Sequence, residues 1–269
     1  MDIATPSFDL ANHQSGAPEP AQSADRASSG PQPSVLLPSD RLIVALDFPS
    51  ADAALELVDR LDGSCRWFKV GMELYYAAGN RVIERLRERG FEVFLDLKLH
   101  DIPNTVAGAV RAVAGAGASL LTIHAGGGER MMQAAAEAAA SAPSAPKLLA
   151  VTVLTSMDAD ELNAVGVGDA PATQVLRLAR LARTAGIDGL VCSSEEVAAV
   201  RAEMGPNARL VIPGIRPASS VADDQRRVAT PAQAIARGAS MLVVGRPITQ
   251  AADPAKAAAE ILAEIASIR

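Results

Sequence analysis

Short aliphatic runs alternate with amphipathic stretches along this 269-residue chain from about residue 41 to its end. Each run is a continuous apolar segment, the pattern typical of parallel strands that are buried on both faces. The eight predicted strands are Leu42–Leu46, Arg66–Val70, Glu92–Leu97, Leu120–His124, Leu148–Leu154, Gly189–Cys192, Arg209–Ile212 and Met241–Val244.

Helical periodicity fills the intervals between these strands. The predicted helices are Ala51–Leu61, Arg81–Arg89, Val106–Ala114, Gly128–Ala140, Ala172–Thr184, Ser194–Met204, Pro231–Ala236 and Pro254–Ile268. Gly90, Gly186 and Gly238 each precede a strand, where glycine favours the end of a helix. Eight strand–helix repeats predict a TIM (β/α)8 barrel. A doubly wound open sheet is the alternative, but no Gly-rich dinucleotide turn follows the first strand.

The first 38 residues have a different character. They are rich in Ala, Pro, Ser, Gln and Gly and carry no sustained apolar period. Such a composition buries too little apolar surface to fold by itself. We therefore expect a disordered extension over residues 1–38 and a single barrel domain over residues 39–269.

Composition, net charge and cysteine content exclude several classes of protein. Hydrophobic residues make up 49% of the chain and the net charge is −6, so neither a disordered chain nor a general nucleic-acid binder is expected. Cys65 and Cys192 are interpreted as buried reduced thiols, and the histidines and cysteines lack metal-ligand spacing. With no apolar stretch long enough to span a membrane and no secretory start, we expect a soluble cytoplasmic protein.

Polar and glycine residues mark the carboxyl ends of the predicted strands, where TIM barrels build their active sites. They are Asp47, Lys69, Asp96, Lys98, His124, Thr155, Arg216, Gly245 and Arg246. Any one of them is equally well explained as a helix cap or a solvated side chain. The whole set together favours a functional site.

The charged run from Asp96 to Asp101 is the centre of this set. Because strand side chains alternate between faces, Asp96 and Lys98 project to the same side, and Asp101 falls in the following turn. Charges at the end of an apolar strand are costly unless they pair or take part in chemistry. His100 points away from the Lys98 face, which favours a packing role.

The carboxyl ends of the last two predicted strands suggest a phosphate site. Gly245 permits close backbone approach, and Arg246 offers a planar charged fork for phosphate oxygens. The long segment 213–230 is predicted to be a lid that closes over a ligand, although a solvated loop is the alternative. Its polar side chains include Arg216, Gln225, Arg226 and Arg227. The glycines after His124 fit either a phosphate cradle or a structural turn.

The run Phe94-Leu95-Asp96-Leu97-Lys98-Leu99-His100-Asp101-Ile102-Pro103-Asn104-Thr105 resembles the signature of the orotidine 5′-phosphate decarboxylase family. Further segments resemble the family's other motifs, in the same order, from about residue 40 to the end. They are residues 44–47, 69–71, 151–157, 213–217, 224–227 and 244–247. The N-terminal extension lies outside the resemblance.

This resemblance implies decarboxylation of orotidine 5′-monophosphate (OMP) to UMP, the last step of de novo pyrimidine synthesis, without a metal or an organic cofactor. It also implies a homodimer of TIM barrels with active sites at the subunit interface. Lys98 would protonate C6 of the pyrimidine, with Asp96 beside the substrate carboxylate. Asp101 would enter from the partner subunit to contact the ribose and the charged array. Lys69 would complete a Lys-Asp-Lys-Asp chain, and Asp47 would hold a ribose hydroxyl.

The resemblance assigns the remaining site residues to substrate binding. Thr105, also from the partner subunit, and Thr155 would contact the substrate. The phosphate and the closing loop would be held by Arg216, Gln225, Gly245 and Arg246.

The expected chemistry needs such residues. Loss of carbon dioxide from C6 leaves a carbanion in the ring plane, which the ring cannot delocalise, and a preorganised lysine can replace the usual cofactor. The nearest alternative is a Mg²⁺-dependent 3-keto-gulonate-phosphate decarboxylase, which shares the Asp-x-Lys-x-x-Asp run. The continuation Ile102–Thr105 favours the nucleotide enzyme. A non-catalytic nucleotide-phosphate sensor is an alternative from another class.

Overall fold

Eight parallel strands close into a barrel in chain order, from β1 to β8. The computed structural model describes residues 36–217 and 229–268. The strands are β1 Leu42–Leu46, β2 Trp67–Gly71, β3 Glu92–Leu99, β4 Leu120–His124, β5 Lys147–Val151, β6 Gly189–Val191, β7 Arg209–Ile212 and β8 Met241–Val244. The predicted TIM barrel is confirmed.

Helices connect the strands around the outside of the barrel. Within the described ranges they are α1 Pro38–Arg41, α2 Ala51–Arg60, α3 Met72–Ala78, α4 Asn80–Glu88, α5 Pro103–Ala114, α6 Glu129–Ala140, α7 Ala159–Ala164, α8 Pro171–Thr184, α9 Val197–Met204, α10 Pro231–Ala236, α11 Arg246–Thr249 and α12 Pro254–Ala266. A short 3-10 turn, Ala125–Gly127, follows β4. No helix in these ranges is both long and apolar enough to span a membrane.

Some predicted boundaries were wrong for local reasons. β3 runs two residues further than predicted, to Leu99, and β5 ends at Val151 instead of Leu154. The N–H of Thr152 makes the last bond of the β5–β6 ladder, to the carbonyl of Val191, and the Thr152 hydroxyl donates to the same oxygen. The prediction missed helices α1, α3, α7 and α11, which are too short to show a clear 3.6-residue period.

The predicted glycine helix ends are confirmed. Gly90, Gly186 and Gly238 have φ values of 83°, 80° and 104°, in the left-handed region that glycine adopts without steric cost. Each lies two residues after the last helical residue of α4, α8 or α10. Each chain reversal therefore places the next strand against the barrel.

Two apolar regions stabilise the barrel. The larger lies between the sheet and the helices, and the smaller fills the barrel interior. The interior cluster consists of Ile43, Ala45, Phe94, Leu120, Leu149, Val211, Met241 and Val243. Because side chains alternate along a strand, residues two positions beyond these toward the carboxyl ends also face the barrel axis.

The predicted extension, residues 1–38, lies outside the described ranges except for its last three residues. Pro38 already begins α1, which packs against α12, β1 and β8. The described part of the barrel domain therefore begins slightly before the predicted boundary at residue 39.

Candidate active site

Charged side chains form the layer directly above the apolar interior of the barrel. Asp47 lies two residues after Ala45, and Asp96 lies two residues after Phe94, so both continue the inward-facing rows. Lys69 pairs in register with Ala45 on one side and with Phe94 on the other. The period of two in the strands thus brings distant residues together at one height.

These residues form a continuous array of alternating charge. Lys69 Nζ lies 2.7 Å from Asp47 Oδ1 and 3.9 Å from Asp96 Oδ2. Lys98 Nζ lies 2.9 Å from both oxygens of Asp96. Three members of the predicted Lys-Asp-Lys-Asp chain, Lys69, Asp96 and Lys98, are thus in contact, and Asp47 pairs with Lys69 at the end of the array. The fourth predicted member, Asp101, is not part of this array.

The array lies in a shielded environment. Lys69 is only 9% exposed, and the side chains of Asp96 and Lys98 are 15% and 29% exposed. A buried charge is tolerated only when opposite charges and hydrogen bonds compensate its desolvation. Each lysine here faces at least one carboxylate, which offsets the cost of its burial.

The backbone at Lys98 departs from a regular strand. Its φ is 50°, in the left-handed region that non-glycine residues rarely adopt, and the β3–β4 register shifts between Leu95 and Leu99. The backbone N–H of Lys98 donates to Thr122 Oγ1 at 2.8 Å. The Thr122 hydroxyl in turn donates to Asp96 Oδ1 at 3.0 Å.

Sequence reasoning missed two residues that shape the array. Thr122 is fully buried in β4, and the available signal was a single polar residue inside an apolar strand, two positions after Leu120. A Cβ at Gly71 would lie 2.8 Å from Lys69 Nζ and 3.0 Å from Asp47 Oδ1. Glycine at this position therefore leaves room for the first ion pair of the array.

The array forms one wall of a cavity of about 270 Å³ at the carboxyl ends of the strands. The predicted residues that line it are Asp47, Lys69, Asp96, Lys98, Thr155, Arg216, Gly245 and Arg246. An apolar surface that includes Val151, Val153 and Val191 also lines this cavity. Thr155 reaches the cavity from the loop beyond β5 and not, as predicted, from the strand end.

The other predicted residues lie elsewhere. Asp101 and Thr105 are exposed at the start of α5, and they line a separate shallow cleft together with Tyr76. Asp101 Oδ1 accepts a hydrogen bond from the N–H of Ile102 at 2.6 Å. Gln225 lies outside the described residues, as do Arg226, Arg227 and most of the predicted lid.

The ends of the predicted lid segment are fixed to the barrel. Ile215 and Ala229 form an isolated parallel bridge, and the N–H of Arg216 donates to the carbonyl of Ala229 at 3.0 Å. Ile215 and Ala229 therefore lie next to each other, and the adjacent Arg216 lines the cavity.

His100 and His124 form a packing pair beside the array. Their rings stack with centroids 5.0 Å apart, in agreement with the predicted packing role of His100. His124 Nδ1 accepts a hydrogen bond from the N–H of Gly126, and burial, followed by the nearby His100 and Lys98, lowers the pKa of His124. A Cβ at Gly127 would collide with Met131 and approach the His100 ring, so this glycine is needed for packing.

Other features bear on metals and thiols. Cys65 and Cys192 are buried, as predicted, and form no disulfide bond, and burial raises the pKa of Cys65 to about 12. Within residues 36–217 and 229–268, no group of three or more His, Cys, Asp and Glu side chains is arranged to hold a metal ion.

A closed (β/α)8 barrel with a lysine–carboxylate array and cavity-lining arginines at its carboxyl end defines a TIM-barrel enzyme site for a small anionic ligand. A model of the family described as "Orotidine 5'-phosphate decarboxylase / HUMPS family" matches residues 40–261. The chain belongs to this family, and the predicted resemblance is confirmed.

Individual relatives agree with the family assignment. The orotidine 5′-phosphate decarboxylase of Halorhodospira halophila is 56% identical over 227 residues, which cover 84% of this chain and 96% of that protein. That of Chromohalobacter salexigens is 56% identical over 225 residues, covering 84% and 95%. The crystal structure of orotidine 5′-phosphate decarboxylase from Lactobacillus acidophilus has a TM-score of 0.74 and 42% identity, covering 84% of this chain and 99% of that one.

Proposed function

We propose that this chain decarboxylates orotidine 5′-monophosphate to UMP and carbon dioxide, the last step of de novo pyrimidine synthesis. The observation that carries the proposal is the array of Asp47, Lys69, Asp96 and Lys98 on one wall of a single cavity. Relatives that are 56% identical over most of the chain and bear the name of this activity support it.

Lys98 is the proton donor in this proposal. The bond between C6 and the carboxylate carbon breaks, carbon dioxide leaves, and the electron pair stays on C6. The Lys98 ammonium lies next to this developing charge, stabilises it, and transfers a proton from Nζ to C6. The Lys98 ammonium takes the place of an electron sink, so the proposed step uses no metal and no organic cofactor.

The carboxylates and the second lysine hold the donor in place. Asp96 contacts Lys98 through both oxygens, which holds the ammonium at the wall of the cavity. Bound substrate would bring its own carboxylate close to Asp96, so the repulsion between them is relieved when carbon dioxide leaves. Lys69 links Asp96 to Asp47, which is 58% exposed and is placed to accept a hydrogen bond from a ribose hydroxyl.

The cavity also binds the phosphate in this proposal. Arg216 and Arg246 line the same cavity as the array, together with Gly245 and Thr155. Guanidinium groups bind phosphate oxygens through charge-assisted hydrogen bonds, and a glycine backbone permits close approach. Gln225 is proposed to join them from the lid segment. Binding energy from the phosphate would organise the charged array around the base.

We further propose a homodimer in which Asp101 and Thr105 enter the partner's site. Both residues are exposed and lie outside the cavity of their own subunit. Exposed apolar side chains surround them, with Ile102 68% exposed and Tyr76 76% exposed, as expected for a surface that is covered in an assembly.

Mixing two inactive variants tests this sharing of sites. Lys98→Ala and Asp101→Ala are refolded together, so that a heterodimer has one site with both native residues. Activity should return to at most about a quarter of the native value, because half of the dimers are hybrid and each hybrid has one intact site. No recovery from a mixture shown by native mass spectrometry to contain hybrids would place Asp101 in its own subunit's site.

The cytoplasm is the proposed location. Cys65 and Cys192 are buried and form no disulfide bond, which fits a reducing compartment. Separation of cell fractions, with the activity followed in each, tests this placement. Activity recovered mainly outside the cytoplasmic fraction would contradict it.

The activity assay is direct. Purified protein, treated with EDTA and dialysed, is mixed with orotidine 5′-monophosphate, and the loss of substrate absorbance is followed. We expect full turnover with stoichiometric UMP and carbon dioxide. Turnover that appears only after Mg²⁺ is added would contradict the metal-independent step. Mg²⁺-dependent decarboxylation of 3-keto-gulonate phosphate in place of orotidine 5′-monophosphate would favour the sugar-phosphate alternative, and UMP binding without turnover would favour a sensor.

A further inference from the structure

We propose that Thr122 is a positioning residue that sets the geometry of the Asp96–Lys98 pair through a single hydroxyl group. The inference rests on the proposed function, because it concerns the proton donor of that reaction. Thr122 lies in β4, is fully buried, and does not itself line the cavity.

The hydroxyl of Thr122 makes two different hydrogen bonds. It accepts the backbone N–H of Lys98 at 2.8 Å and donates to Asp96 Oδ1 at 3.0 Å. A hydroxyl has one proton to donate and two lone pairs that accept, so both bonds form at once. One oxygen atom therefore links the backbone of the proton donor to the carboxylate that holds its ammonium.

The first bond fixes the backbone of the donor. The register between β3 and β4 shifts between Leu95 and Leu99, and Lys98 lies within the shift with a φ of 50°. A left-handed backbone at a non-glycine residue persists only where the surroundings hold it. The Thr122 hydroxyl satisfies the Lys98 N–H there, so the unusual conformation leaves no unpaired donor.

The second bond fixes the carboxylate. Both oxygens of Asp96 lie 2.9 Å from Lys98 Nζ, which requires the carboxylate plane to face the ammonium. The hydrogen bond from the Thr122 hydroxyl to Oδ1 holds the Asp96 carboxylate in this orientation. Lys69, whose Nζ lies 3.9 Å from Oδ2, constrains the orientation only weakly. Without the hydroxyl, the carboxylate can turn and the ammonium can leave its position above the cavity wall.

Thr122→Val tests this role because valine keeps the branched shape and removes the hydroxyl. We expect kcat to fall about 10–100-fold, the effect of misplacing a reacting group by about 1 Å. The KM for orotidine 5′-monophosphate and the affinity for UMP should stay within about threefold, because the phosphate contacts are unchanged. Thr122→Ser, which restores the hydroxyl, should recover most of kcat.

Thr152→Val is the matched control. Thr152 follows the neighbouring strand β5 and is 1% exposed, and its hydroxyl donates to the carbonyl of Val191, which is not part of the array. Thr152→Val and Thr122→Val make the same substitution at buried threonines, so any general loss of activity from removing a buried hydroxyl would appear in both variants. We expect its kcat to remain within about threefold of the native value.

The outcomes separate this inference from the proposed function. Native protein without turnover would refute the proposed function. Turnover in the native protein with Thr122→Val at native kcat, or with Thr122→Ser as impaired as Thr122→Val, would refute the inference alone. Should Thr122→Val not fold, Thr122→Cys replaces it, because its thiol is only a weak hydrogen-bonding group, and kcat must then rank serine above cysteine.

Discussion

Replacement of Lys98 by alanine should abolish turnover while the fold and the phosphate site survive. The substitution removes a cation 2.9 Å from Asp96 at the wall of the cavity. A unit charge about 4 Å from the developing carbanion contributes about 4 kcal/mol at an effective dielectric constant near 20, or about 10³ in rate. Loss of the proton donor should lower the rate by a further factor of about 10²–10⁴, so kcat should fall by a factor of at least about 10⁵.

The stability cost should be smaller than for a fully buried pair. Loss of one partner of such a pair costs about 3–5 kcal/mol. Lys98 is 29% exposed, and Asp96 keeps Lys69 and the Thr122 hydroxyl, so we expect about 1–3 kcal/mol. Urea denaturation measures this loss in the free energy of unfolding, and calorimetry measures the affinity of the variant for UMP.

Lys147→Ala is the matched control for this substitution. Lys147 is an exposed lysine at the first residue of β5, at the opposite end of the barrel. It should leave kcat unchanged. If Lys98→Ala turned over orotidine 5′-monophosphate within about 100-fold of the native rate, Lys98 would not be the proton donor.

Three further predictions concern the array, the phosphate site and the dependence of stability on pH. Gly71→Ala should lower kcat/KM about 10–100-fold, because the added Cβ displaces the ends of the Lys69 and Asp47 side chains. The free energy of unfolding measured in urea should change little, because only flexible side-chain ends must move. Native activity in this variant would refute the prediction. Arg246→Ala should raise KM about 10–100-fold and weaken UMP but not uridine, measured by calorimetry; equal weakening of both would contradict a phosphate contact. Because the pKa of His124 is lowered in the folded state, the unfolded chain binds more protons below about pH 6.5, so urea titrations of the native protein should give falling stability from that pH downward. His124→Asn should reduce this slope, and an unchanged slope would exclude His124 as its source.

Helix and strand order could be predicted from the sequence because the aliphatic runs are continuous and the intervals are amphipathic. The predicted β1, β4, β7 and β8 coincide with the observed strands. The ends of β3 and β5 could not be predicted, because they depend on contacts between strands. The last ladder bond of β5 joins the N–H of Thr152 to the carbonyl of Val191, a residue that is 39 positions away in sequence.

The sequence by itself determined which residues carry charge at the strand ends, and the period of two determined that Asp96 and Lys98 share a face. Only the tertiary structure decided that Lys69 stands between Asp47 and Asp96, because the register of neighbouring strands sets the height of each side chain.

The shift between β3 and β4, the left-handed backbone of Lys98 and the hydroxyl of Thr122 that joins them were likewise decided by packing across the barrel. The local hydrophobic pattern indicates on which face of a strand a side chain lies. The distance between two atoms on different strands depends on closure of the whole sheet, which no local pattern contains.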